Sequence, residues 1–305
     1  MSIFKDRDVI CTLGDSITAS GLWMAEAYEH IGKEVAVKFY NCGVSGGTAT
    51  RAADYLYSMC LSKNPDYVTV MFGVNDIDRW AFSKSYKGND QKEITTRAVN
   101  RYAEKMEYIT RCIIDSGAKP ILCTPMPYDE REDLEEENYR CDYLLEECAE
   151  IVRALAKRYG CLLVDFRARL LPLMNERHPI GIDRVHPTTQ GYHMMGQIFL
   201  HELREISDVD FDTPYEFALW NKERYDAERK LMKLYFIDYA MLFDSNKARD
   251  GGVPEKLAEA KVRYDELECK DTFIGDCYRF YIEEKKHQMQ IMNDLVRLTV
   301  YPPKD

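Results

Sequence analysis

Positive charge is in deficit along this chain: 41 Lys and Arg stand against 52 Asp and Glu, a net charge of −11 at pH 7. A protein of that sign has no general attraction for nucleic acid or for an anionic membrane surface. Long apolar runs are also missing. No stretch approaches the roughly 20 residues of a membrane-spanning helix, so membrane insertion is not expected. No secretory signal is expected, because the first strand pattern begins shortly after Met1 in MSIFKDRDVI. The ten cysteines form no C-x-x-C pair and no metal-finger spacing, and Cys11, Cys123 and Cys161 fall inside apolar runs. Such cysteines read as small hydrophobes in a reducing environment, and the expected location is cytoplasmic. A GxxxxGK[ST] phosphate loop, a full dinucleotide fingerprint, internal repeats and low-complexity tracts are all absent. His193 and His201 fall on one helical pattern without an i, i+4 partner, so no metal site is expected.

What remains is ample material for a folded core: 305 residues, 46% of them apolar. Short runs of β-branched and aromatic residues, apolar on both faces, mark strands at Val9 to Leu13, Val35 to Tyr40, Tyr67 to Phe72, Pro120 to Thr124 and Cys161 to Phe166. Longer amphipathic stretches lie between and after them, at Leu22 to Ile31, Ala49 to Leu61, Ile94 to Asp115, Asn138 to Tyr159 and Thr189 to Ile206. Five strand–helix units in this order predict an α/β fold, a three-layer α/β/α sandwich on a five-stranded parallel sheet, over residues 1–206. Residues 207–305 carry a helical pattern alone. Their stripe of Leu231, Leu234, Ile237, Met241 and Leu242 predicts a C-terminal helical extension that docks on the sandwich or joins copies in a homo-oligomer. Two long connections, Asn75 to Glu93 and Met174 to Val185, follow strand ends, where α/β folds bind ligands. The acidic run Asp129 to Asn138 reads as a solvated loop and helix start.

Chemistry-bearing residues gather at predicted strand ends. VICTLGDSIT delivers Ser16 after the first strand, although Gly, Asp and Ser also suit an ordinary turn. DRVHP sets Asp183 three residues before His186. That spacing lets a carboxylate orient one imidazole nitrogen while the other takes a proton from a serine, or lets both residues cap the last helix. NCGVSGGTAT can expose backbone N–H groups, and FGVND offers the side-chain amide of Asn75; both are the donors an oxyanion requires. GVSGG also satisfies the G-x-S-x-G elbow, which would make Ser45 the nucleophile. Only two strands precede that serine, however, and an elbow leaves GDSIT and GVND unexplained.

Taken together, GDSIT, NCGVSGGT, GVND and DRVHP resemble the four ordered blocks of the SGNH hydrolases, or GDSL esterases, whose fold is flavodoxin-like. The resemblance runs over roughly residues 1–206. It implies Ser16 as nucleophile and Asp183 and His186 as its triad partners. The oxyanion donors it implies are the N–H groups of Ser16 and Gly46 and the amide of Asn75. Asp15, Asp76 and Trp80 are candidate substrate contacts, and no cofactor is required. The implied activity is hydrolysis of a short-chain or acetyl ester of a carbohydrate or small metabolite. Rival readings are a lysophospholipase or thioesterase on longer chains, an acyltransferase, and a non-catalytic binding protein on the same fold.

Overall fold

The structure is a computed structural model, and it describes residues 2–32, 34–132, 136–175, 181 and 183–203. The expected extension over residues 207–305, and any oligomer contact it makes, lie outside the described residues.

Five parallel strands form one sheet in the order β2-β1-β3-β4-β5: β1 Val9–Gly14, β2 Lys38–Gly43, β3 Tyr67–Met71, β4 Lys119–Cys123 and β5 Leu162–Val164. Every residue of β3 is buried, as expected of a central strand covered on both faces. One covering layer holds α2 (Leu22–Ile31), α6 (Phe166–Asn175) and α7 (Thr189–Glu202). Trp23 of α2 knits it together, its ring 5.7 Å from that of Phe166 and 5.2 Å from that of Phe199. The other layer is α3 (Ala49–Met59), α4 (Gln91–Asp115) and α5 (Asp142–Tyr159), packed in sequence order. Chain order reverses beside β1, between β2 and β3, and the ends of these strands are where such sheets bind ligands.

Several expected boundaries move, each for a local reason. The second strand begins at Lys38 and not at Val35, because the N–H of Val35 still donates to Ile31 O at 3.0 Å and belongs to the turn that ends α2. It then runs to Gly43, so the first half of NCGVSGG is strand, in register with β1. The fourth long helix starts at Asp142 and not at Asn138, since Arg140 sits at φ +50°, outside the helical region. The expected connection from Met174 is preceded by a helix, α6, that carries Pro172 in its interior. A proline normally ends a helix, which hides this one from sequence patterning. The loop after β3 contains a short 3₁₀ turn, Arg79–Phe82.

Arg167 shows what fixes α6 against α5. Only 2% exposed, it forms ion pairs with Asp142 (2.6 Å) and Glu146, and its N–H donates to Thr124 Oγ1 at 3.0 Å.

Candidate active site

The turn after β1 is dense. A Cβ added at Gly14 would come within 2.2 Å of Thr18 Oγ1 and 2.8 Å of Met71 O, so only glycine lets the chain double back here. Asp15 then caps a one-turn helix, α1 (Ser16–Ala19), its Oδ1 accepting from Ile17 N–H at 2.9 Å. Ser16 opens that helix. Its N–H is therefore one of the helix-start donors without an intrahelical acceptor, and its side chain stands at the C-terminal edge of the sheet.

The far end of the chain comes to meet it. His186 Nε2 lies 2.9 Å from Ser16 Oγ across 170 positions of sequence, and His186 Nδ1 lies 2.9 Å from Asp183 Oδ2. Asp183 Oδ1 accepts from the N–H groups of Val185 and His186, each at 2.6 Å. Burial alone would raise the Asp183 carboxyl, but the His186 imidazole and those two backbone donors hold it below the usual carboxylate range. The carboxyl is thus ionised at neutral pH and selects the Nδ1–H tautomer, leaving Nε2 able to accept the Ser16 proton. Asp183 and His186 do not cap α7. Thr188 does that, accepting from Gly191 N–H at 3.0 Å.

A residue that sequence reasoning passed over secures this segment. Arg184, between the two ionisable residues and only 5% exposed, donates to three backbone carbonyls of the β4–α5 connection: Glu136 at 2.7 Å, Asp129 at 2.8 Å and Arg131 at 2.8 Å. Asp129 N–H returns a bond to Arg184 O at 3.0 Å, and an antiparallel bridge between Gly181 and Pro187 closes the base of the loop. Nothing in the pattern DRVHP marks that arginine as buried. Nor is the connection it grips wholly solvated: Asp129 is buried and paired with Arg131 at 2.6 Å.

Of the expected donors, Gly46 lies exposed at φ +68°, a conformation that favours glycine. Asn75 Nδ2 donates to Gly47 O at 3.1 Å, which uses one of its two hydrogens and leaves the other. Ser45 is exposed, and its side chain hydrogen-bonds to no described residue, so the histidine goes to Ser16. Asp15 and Asp76 are 3% and 4% exposed, with their carboxyls turned to backbone N–H groups. Trp80 is 51% exposed, its Nε1 donating to Asp78 at 3.2 Å and its ring edge-to-face with Tyr86 at 5.3 Å. A small cleft beside the β1–α1 turn is lined by Asp15, Ile17, Met71, Phe72, Val74, Pro125, Met126, Pro127 and Val185, and neither Ser16 nor His186 borders it.

This arrangement of sheet, turn and blocks matches known proteins. The model of the GDSL-like lipase/acylhydrolase family fits residues 12–194, more than half of the chain. The chain belongs to that family. It is a carboxylic ester hydrolase. An acetylxylan esterase of Geobacillus stearothermophilus is 25% identical over 177 residues, which are 56% of this chain and 74% of that protein. Among solved structures, a gut microbial diltiazem-metabolizing enzyme aligns with a TM-score of 0.61 at 22% identity. That match covers 67% of this chain and 48% of the enzyme, so the chain spans about half of its length. A catalytic mutant of an acetylxylan esterase from Geobacillus stearothermophilus aligns with a TM-score of 0.56 at 18% identity, over 67% of this chain and 97% of that one. At these identities the structural likeness speaks for the fold.

Among the described residues one group could hold a metal ion by distance: Cys11, Cys42 and Cys60, buried and with sulfurs within 4.8 Å of one another. Hydrogen bonding to Cys42 and Cys60, together with burial, pushes the Cys11 thiol far up. No helix among the described residues is long and apolar enough to cross a membrane.

Proposed function

We propose that this hydrolase uses Ser16, His186 and Asp183 as a catalytic triad to remove short acyl groups, acetyl first, from a carbohydrate or another small alcohol. The observation that carries the reading is the unbroken chain of two 2.9 Å contacts from Ser16 Oγ through His186 to Asp183. His186 takes the serine proton as Oγ attacks the ester carbonyl. The N–H groups of Ser16 and Gly46 and the free hydrogen of Asn75 receive the oxyanion. The C–O bond to the alcohol then breaks, and His186 returns its proton to the departing oxygen. Water, deprotonated by the same imidazole, attacks the acyl-serine and regenerates the enzyme.

One observation supports a short acyl group: the sequence relative reported above is named for acetylxylan. The catalytic unit is assigned to residues 1–206, and the following helical pattern is a separate extension. The test compares wild type, Ser16→Ala and Ser45→Ala on p-nitrophenyl acetate, octanoate and palmitate. Ser16→Ala abolishes turnover, Ser45→Ala retains it, and kcat/KM falls as the acyl chain lengthens. An active Ser16→Ala protein refutes the triad; a preference for palmitate replaces the short-chain reading with a lysophospholipase or thioesterase.

A further inference from the structure

The Gly46–Gly47 turn has few ties of its own. Gly46 is exposed and has no side chain, and the turn is closed by Gly47 N–H to Val44 O at 2.8 Å and Val44 N–H to Gly14 O at 2.9 Å. Two adjacent side chains from the turn after β3 brace it from the other side. Asn75 bonds Gly47 O, and Asp76 Oδ1 accepts from the N–H of Ala49, the first residue of α3, at 2.8 Å. Asp76 is itself fixed, because its N–H donates to Gly73 O at 2.8 Å and its side chain is buried. Its second oxygen, Oδ2, is buried and has no hydrogen-bond partner among the described residues; the Tyr55 hydroxyl on α3 is in the same condition. An oxygen left bare in the interior is an expensive thing for a carboxylate and a tolerable one for a carboxylic acid.

On the triad reading above, we propose that Asp76 is a positioning residue for ester hydrolysis. Its neutral carboxyl group, bonded to the first N–H of α3, holds the Gly46–Gly47 turn so that Gly46 N–H and the free hydrogen of Asn75 converge on one oxyanion.

Burial is the first cause of that neutrality, and the side chains facing Asp76 modulate it. They are Asp15 from the β1–α1 turn, Tyr55 from α3, Arg101 and Tyr102 from α4, and Cys148 from α5. Arg101 is the cation among them, and it is engaged by Asp78 at 3.0 Å. Burial first, and then the Asp15 carboxylate, push Asp76 up to about 8. Asp15, also buried, is raised to about 6 and is the first of the two to ionise. Near neutral pH the turn is therefore braced without a second negative charge behind the oxyanion. Above about pH 8 Asp76 ionises, and a carboxylate there opposes the charge that develops on the substrate oxygen.

The experiment measures kcat and KM for p-nitrophenyl acetate from about pH 6 to about 9.5, using the full chain with Asp76→Asn, Asp76→Ala, Asn75→Ala and Ser16→Ala. Asparagine keeps an acceptor for Ala49 N–H and carries no charge. Asp76→Asn therefore holds kcat within about threefold of wild type at pH 7 and loses the alkaline decline. Asp76→Ala lowers kcat on the order of 10- to 100-fold with KM nearly unchanged, the scale of a misplaced catalytic donor. Asp76→Ala with wild-type kcat, or Asp76→Asn as impaired as Asp76→Ala, overturns the proposal. If the alanine variant does not fold, an alkaline decline that persists in Asp76→Asn overturns it instead. An active Ser16→Ala protein, by contrast, indicts the triad and not Asp76.

Discussion

Replacing Asp183 by asparagine separates what the carboxylate does for chemistry from what it does for the fold. Oδ1 holds two backbone N–H groups at 2.6 Å each, and Oδ2 holds the imidazole at 2.9 Å. Asparagine has a single carbonyl oxygen. It stays on the two backbone donors, two bonds against one, and turns its NH₂ group toward His186 Nδ1. The ring must then offer a lone pair at Nδ1 and carry its proton on Nε2, where it points at Ser16 Oγ and cannot accept the serine proton. A wrong tautomer of this kind costs on the order of 10⁴ in kcat, or about 5 kcal/mol of transition-state stabilisation. Stability changes little, because the backbone bonds survive. Asp183→Ala loses the proposed catalytic group and the backbone acceptor together. Each orphaned N–H costs about 1–3 kcal/mol when fully buried. The Asp183 side chain is 31% exposed, so water offsets part of this and a loss of about 1–2 kcal/mol is expected. The assay is kcat on p-nitrophenyl acetate beside a thermal melt for both variants. Asp183→Asn with kcat within tenfold of wild type would refute the tautomer argument, and Asp183→Asn melting as low as Asp183→Ala would refute the backbone argument.

The lowered Asp183 carboxyl also fixes a pH dependence: its contribution to stability is complete above its unfolded value near 4 and is lost as pH falls through the lower folded value. In acid, wild type should therefore lose more stability than Asp183→Asn, and melts of the two that fall in parallel would contradict the assignment. Gly46→Ala meets no atom within 4 Å but must adopt φ +68°, so destabilisation of about 1–2 kcal/mol comes from the backbone alone. Denaturant melts measure it, and Gly46→Asn should cost less. Arg167→Ala removes two ion pairs and opens a buried gap, while Glu146 keeps Arg153 and Asp142 keeps the Tyr128 N–H, so it should cost about 2–3 kcal/mol, read as a shift in the urea midpoint; a loss under about 1 kcal/mol would show that the pairs are solvated.

Sequence alone made the sheet legible because the five strands are short, apolar runs separated by amphipathic helices, and periodicity reports that directly. It failed where local geometry overrides pattern. Pro172 inside α6 reads as a stop, and Arg140 at φ +50° interrupts a stretch that otherwise reads as helix. In the candidate site, Ser16, Asn75, Asp183 and His186 stood out because each residue type suits its proposed chemistry, and Ser16 and Asn75 follow strands; Asp183 and His186 instead follow α6. Arg184 and the brace at Asp76 did not, since burial of an arginine among backbone carbonyls, or of an acid against a helix start, leaves no composition signal.

The grip of Arg184 on the β4–α5 connection carries a lesson for engineering. Because the imidazole's short loop borrows its shape from carbonyls some fifty residues upstream, the two segments form one transplantable unit. Shuffling either one alone between relatives would carry over Asp183 and His186 while losing the scaffold that aims them.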